Sequence, residues 1–284
     1  MLSFRASSLS ALESCPRRFA AEFVISAGIS DQFDLPVVRR PVHIGALIGT
    51  ACHVGFAEQM REVKRTGEHG SKQRLNNITS AATSEFATIS REAPGVITDA
   101  TTASKRDGVK AVTKIVERFF WDIKIDGEPE IIEKGGKAIF PSGDDGDDFQ
   151  VTGTLDLHIV NANRSRIEDH KTGRNRPQAL AQIGIYSLLI KSNGKRVNDA
   201  RINYSRRVAF SRPQPHLEKI AYDLGVAEHH ALTVAREANR TISRLLKTGD
   251  ANTVVANPSC YLCSPKFCPA YGTNFCHVGI ASKK

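Results

Sequence analysis

A chain of 284 residues, 40% of them hydrophobic, can bury one substantial core, so a single α/β domain with appendages accounts for it and a second independent domain is not required. The 39 Lys and Arg against 30 Asp and Glu leave a net charge of +9, the sign that a polyanion-binding surface needs but no proof of one. No stretch approaches the roughly 18 apolar residues of a membrane span, and MLSFRASSLSALESCPRRF lacks the apolar centre of a secretory signal, so a cytoplasmic protein with no membrane partner is expected.

In chain order, Ser8 to Phe23 reads as a short helix. Gly45 to Lys64 reads as a longer one, with Leu47, Ile48, Ala51, Val54 and Ala57 near helical spacing. From Lys64 to Ala100 the chain is polar and rich in Ser and Thr. A helical stripe then returns over Lys105 to Ile123, and the span from 64 to 123 is expected to be a helical insertion. After Asp126 the pattern changes: EPEIIEKGGKAIF, DFQVTGTLDLHIV and RSRIEDHK read as three successive strands. The acidic GDDGDD from Gly143 to Asp148 lacks the spacing of an EF-hand and reads as a solvated hairpin loop. A helix over Pro177 to Lys191, a strand over Ala200 to Val208 and a long helix over Asp223 to Leu246 complete an α/β order.

Side chains alternate faces along a strand. In the second strand this groups Val151, Gly153, Leu155, Leu157 and Ile159 on one face and Thr152, Thr154, Asp156 and His158 on the other. In the third it groups Ile167, Asp169 and Lys171 and sends Glu168 and His170 to the opposite side. Two carboxylates on neighbouring strands beside an ammonium suit phosphodiester hydrolysis. The carboxylates supply hard oxygen ligands for Mg²⁺ or Mn²⁺, and the lysine orients a water or stabilises developing charge. The bland alternative is an Asp/Lys ion pair on an edge strand.

GTLD at Gly153 to Asp156, followed by IEDHKTG at Ile167 to Gly173, resembles the second and third motifs of PD-(D/E)XK nucleases. The resemblance implies a restriction-endonuclease-like core, a mixed central sheet flanked by helices. It also implies metal ligation by Asp156, Asp169 and the backbone carbonyl of His170, with Lys171 catalytic. GTACH at Gly49 to His53 resembles the helical first motif of the RecB-like branch, which implies His53 as a further ligand. QIGIY resembles that branch's QxxxY motif, and its spacing sets Gln182 and Tyr186 on one helix face. Glu168 has the wrong face for the site, and His158 shares the face of Asp156 but matches no position of the pattern, so both read as structural.

The six cysteines, in a reducing compartment, point to metal binding and away from disulfides. CYLC at Cys260 to Cys263 suits either zinc or an iron-sulfur centre. CPRRF at Cys15 to Phe19 resembles the iron-sulfur version of the family, which takes one cysteine from such an element and three from the C-terminal side to hold a 4Fe-4S cluster. That implies Cys15, Cys260, Cys263 and, because Pro269 follows it, Cys268 in preference to Cys276. Cys52, inside the helical motif, reads as packing.

The function implied is a metal-dependent DNA exonuclease working from single-stranded ends in recombination or repair. With no GxxxxGK[ST], a helicase or recombination motor would be a separate partner. Two other classes stay open: a nuclease-fold DNA-binding subunit without catalysis, and a zinc-stabilised nucleic-acid-binding protein.

Overall fold

In the computed structural model, which describes residues 1–68, 70–142 and 147–278, Pro16 decides how the first helices form. A proline disfavours the α region for the residue before it, and Cys15 is extended (φ −160°, ψ 104°). The single helix expected over Ser8 to Phe23 is therefore two, α1 (Leu9–Ser14) and α2 (Pro16–Ser26). Pro16 takes the first helical position, where its missing N–H leaves no bond unmade. Ahead of them lies a short strand, β1 (Ser3–Arg5), and after them come β2 (Val42–His43), α3 (Ile44–Thr66), α4 (Lys72–Glu92), β3 (Val96–Ile97) and α5 (Lys105–Asp122). The polar stretch before residue 100 makes a full helix because Leu75, Ile78, Ala82 and Phe86 recur on one stripe of α4. Ser104 caps α5 by accepting from the Asp107 N–H.

The remaining elements are β4 (Glu128–Phe140), β5 (Phe149–Val160), β6 (Ser165–Gly173), α6 (Leu180–Ser192), β7 (Asp199–Arg206), β8 (Glu218–Ala221) and α7 (Leu224–Thr248). Six strands form a mixed sheet in the order β1-β5-β6-β7-β8, with β4 also paired to β5. The sheet flanked by helices is a restriction-endonuclease-like core. Residues 143–146 of the acidic hairpin tip lie outside the described residues.

One edge of β5 carries β4 along its whole length. The other edge meets β1 over residues 150–152 and β6 over residues 157–160. Among the described residues, 153–156 therefore have no strand beside them on that edge.

Two apolar clusters flank the sheet. In one, Phe149, Val151, Leu155, Ile167 and Ile202 pack with helices α1, α2, α6 and α7. In the other, Leu157 and Ile159 pack with Ile48, Phe56, Ile115 and Phe119 of α3 and α5. Leu157 and Ile159 thus do not share the side of Val151 and Leu155 as simple alternation predicts. The alternation breaks at Asp156, whose neighbour across the β4–β5 pair, Glu133, has a left-handed backbone (φ 44°). A left-handed residue within a strand twists it locally and re-aims the side chains beyond.

Gly184 lets α6 and α7 touch: a Cβ there would lie 2.0 Å from the Ala227 carbonyl oxygen and 2.6 Å from the Ala231 Cβ. Neither neighbour can rotate away. Gly184→Ala is expected to cost about 3 kcal/mol, read as a lower urea midpoint, and unchanged stability would show that the helices part freely.

Arg207, just past β7, is buried and donates to Asp99, Thr101 and Thr102, tying the sheet to the loop before α5. Burial works to raise the Asp99 carboxyl, but the Arg207 guanidinium and the Thr101 hydroxyl outweigh it and hold it well below the usual range. A depressed carboxyl contributes stability that is present above its unfolded value of about 3.9 and is lost as pH falls through the folded value. The melting-temperature gap between wild type and Asp99→Asn is therefore expected to be open at neutral pH and to close below about pH 4. A gap that widens in acid would contradict the pairing.

Candidate active site

The β5–β6 ladder stops at Leu157 and Glu168. Just past it, the Asp156 carboxylate takes the place of a strand partner: its Oδ2 accepts the His170 backbone N–H at 2.7 Å. The N–H and C=O of a strand residue point to the same side, so the His170 carbonyl also faces the opening. The His170 ring goes the other way, edge-on to Phe119 and Phe56 with centroids 4.8 and 5.2 Å away. Burial, followed by the neighbouring His53, Lys171 and Arg201, pulls its pKa well down, so it stays neutral.

Three further groups converge on Asp156. His53, on α3, places Nδ1 3.4 Å from Asp156 Oδ2 and 3.1 Å from Glu133 Oε1. The helix reaches this close because Gly49 faces β6, where a Cβ would stand 3.1 Å from the Thr172 hydroxyl. Burial opposes charge on His53, yet Asp156 and the bond to Glu133 prevail and push it up to about 9. Asp156 itself is pushed up to about 7 by burial and by the charge of Asp169. The carboxylates thus favour positive charge on His53, at a point where a cation could bind. One ligand atom each from His53, Glu133 and Asp156 lies within 4.8 Å of the others, and no other such trio occurs among the described residues.

Asp169 is fully buried. The Lys171 ammonium stands 2.9 Å from its Oδ1 and 2.8 Å from its Oδ2, but only Oδ1 is placed to accept, which leaves Oδ2 a free lone pair. Burial disfavours the ammonium; Asp169 and Asp156 more than compensate, and Lys171 stays charged. Gln182 donates to the Tyr186 hydroxyl at 2.6 Å. Burial and then the charges of Asp169 and Asp156 push that phenol up, so it remains a neutral donor.

A model of the PD-(D/E)XK nuclease superfamily matches residues 3–270, nearly the whole chain. The chain belongs to that superfamily. No curated protein matches it. Among solved structures, the protein SSO0001 is 13% identical, with a TM-score of 0.30 over 78% of this chain and 84% of that one. A candidate exonuclease from Eubacterium rectale is 13% identical, with a TM-score of 0.41 over 67% of this chain and 71% of that one.

The nuclease core gathers Asp156, Asp169, Lys171, His53, the His170 backbone and the Gln182–Tyr186 pair around the opening beside β5. Sequence reasoning missed Glu133. It stands in β4 with Glu128 and Glu130, and nothing in the sequence marks it apart from them. Glu168 lies outside the site in a buried network with Arg166, Arg201 and Asn203, and His158 bonds Glu130 and Ser165.

Away from this centre, Cys15, Cys260, Cys263, Cys268 and Cys276 line one cavity. The extended Cys15 brings its sulfur to the Asn257 N–H at 3.4 Å. Beside it Arg17 donates its backbone N–H to the Val255 carbonyl and its guanidinium to the Val254 carbonyl. Cys276 returns to the cavity through a turn bridged to Tyr271 and Thr273. Cys52 is buried in the second apolar cluster.

Proposed function

We propose that the chain is a Mg²⁺- or Mn²⁺-dependent DNA exonuclease of the RecB-like branch, working on single strands from their ends in recombination or repair beside a separate helicase. The observation that carries the reading is the convergence of His53, Glu133 and Asp156 beside a lone-pair-bearing Asp169 oxygen and a charged Lys171. Imidazole, carboxylates and a carbonyl form a donor set suited to Mn²⁺ or Mg²⁺.

A bound divalent ion would polarise the phosphate and acidify a water. His53, Asp156, Asp169 and the His170 carbonyl would hold it, with Glu133 as an added ligand. Lys171, anchored by Asp169, points its remaining protons at the attacking water or the phosphate oxygen. Tyr186, aligned by Gln182 and kept protonated, donates to a phosphate oxygen of the strand. Digestion of end-labelled linear and closed circular single strands with Mg²⁺ or Mn²⁺ tests this. Loss of label from linear DNA with circles spared is expected, whereas intact DNA in both metals would favour a binding subunit without catalysis.

The cysteine cavity is proposed to hold a 4Fe-4S cluster with Cys15, Cys260, Cys263 and Cys268 as ligands. Tetrahedral zinc, with Zn–S of about 2.3 Å, requires sulfurs roughly 3.8 Å apart. No three of the cysteine sulfurs lie within 4.8 Å of one another. Five sulfurs spread around one cavity favour the larger group.

A further inference from the structure

The open edge of β5 is the floor of a groove that also takes in Arg5, Ser7, Gly135, Lys137 and Tyr186. Strand register orders its contents. Arg5 and Lys137 both stand opposite Thr152, one from each neighbouring strand. Directly opposed residues share a face, so guanidinium, hydroxyl and ammonium form one row across three strands spaced about 4.8 Å apart. Arg5 and Lys137 are exposed, and neither has a carboxylate partner among the described residues. Two residues further along, Gly135 stands opposite Thr154, and two beyond that the same strands carry Glu133 and Asp156.

Gly135 is the informative member of this series. Its φ is not positive, so no turn requires glycine, and a Cβ placed on it would meet nothing within 4 Å. Glycine weakens a strand interior, yet here neither conformation nor packing demands it. A side chain there would fill open space in the groove, at the register position between Lys137 and Glu133.

We propose that this groove seats the backbone of the DNA strand. Arg5 and Lys137 clamp a phosphate about 13 Å along β5 from Asp156, and Gly135 keeps the floor clear for the nucleotides between. The inference rests on the nuclease reading for its substrate but makes a separate claim about where the strand lies.

The test is binding of a fluorescein-labelled oligothymidylate in EDTA, followed by anisotropy over a range of salt, with cleavage in Mn²⁺ as a second arm. The Arg5→Ala/Lys137→Ala double variant should bind on the order of tenfold more weakly, and its log K against log salt should be shallower by about 1.4, two phosphate contacts' worth for a single strand. Gly135→Val should melt at or above the wild-type temperature, since valine suits a strand better than glycine, yet lose affinity. Wild-type affinity and salt slope in both variants would overturn the proposal. Should the wild type bind through this groove and leave the DNA uncut in Mn²⁺, the nuclease reading falls and the groove stands.

Discussion

Asp156→Asn is expected to lower DNA cleavage by about a thousandfold or more, the rate equivalent of some 4 kcal/mol of lost charge stabilisation, with the fold left in place. The asparagine oxygen can still accept the His170 N–H that Asp156 accepts at 2.7 Å, so the opening keeps its shape. What disappears is the negative charge that, with Glu133, raises His53 to about 9 and would hold a cation. Asp169→Asn should be equally inactive but less stable, because Lys171 would keep its charge beside a buried amide. Glu133→Gln should chiefly raise the Mn²⁺ concentration needed for half-maximal rate. Cleavage at the wild-type rate by Asp156→Asn, measured at saturating Mn²⁺ with an unchanged circular dichroism spectrum, would remove Asp156 from the site.

The second large effect is expected at Cys15. Protein purified without oxygen should be brown, with about four iron and four sulfide per chain, and Cys15→Ala should be colourless and melt of order 10 °C lower. The magnitude follows from cross-link entropy: closing a loop from residue 15 to 260 amounts to about 5 kcal/mol if a cluster acts as a disulfide does, or roughly 2 °C per kcal/mol at this size. The Arg17 bonds to Val254 and Val255 remain in the variant, so the segment loosens without leaving. Because Cys268 and Cys276 line the same cavity, alanine at each in turn distinguishes ligand from bystander: iron should be lost from Cys268→Ala and kept by Cys276→Ala. Colourless wild-type protein with one tightly held zinc would refute the cluster.

Much of the fold was readable because Phe149 to Leu155 of β5 alternate, α6 is apolar almost throughout and α7 carries a long apolar stripe. The reading failed where tertiary context decides. β1 has only three residues, Ser3–Arg5, and exists because Gln150, Val151 and Thr152 offer it an edge far along the chain. The helix break at Cys15 was legible in Pro16 but masked by the apolar pattern running across it. Glu133 joins Asp156 through strand register and a left-handed backbone, neither of which leaves a mark on the residue types. The same distortion hid the change of side at Leu157.

The pairing of early residues with late ones sets the order in which the protein can be completed during synthesis. β1 and Cys15 leave the ribosome long before residues 149–152 and 254–276, against which they settle. At roughly 5–20 residues per second the wait for the last cysteines is about 12–50 s. The first strand waits only until residues 150–152 are made, whereas Cys15 stays a bare thiol until the last cysteines emerge. The groove beside β5, bordered by Arg5, cannot form until β5 has been made, so a ribosome-bound fragment ending before residue 149 does not carry it.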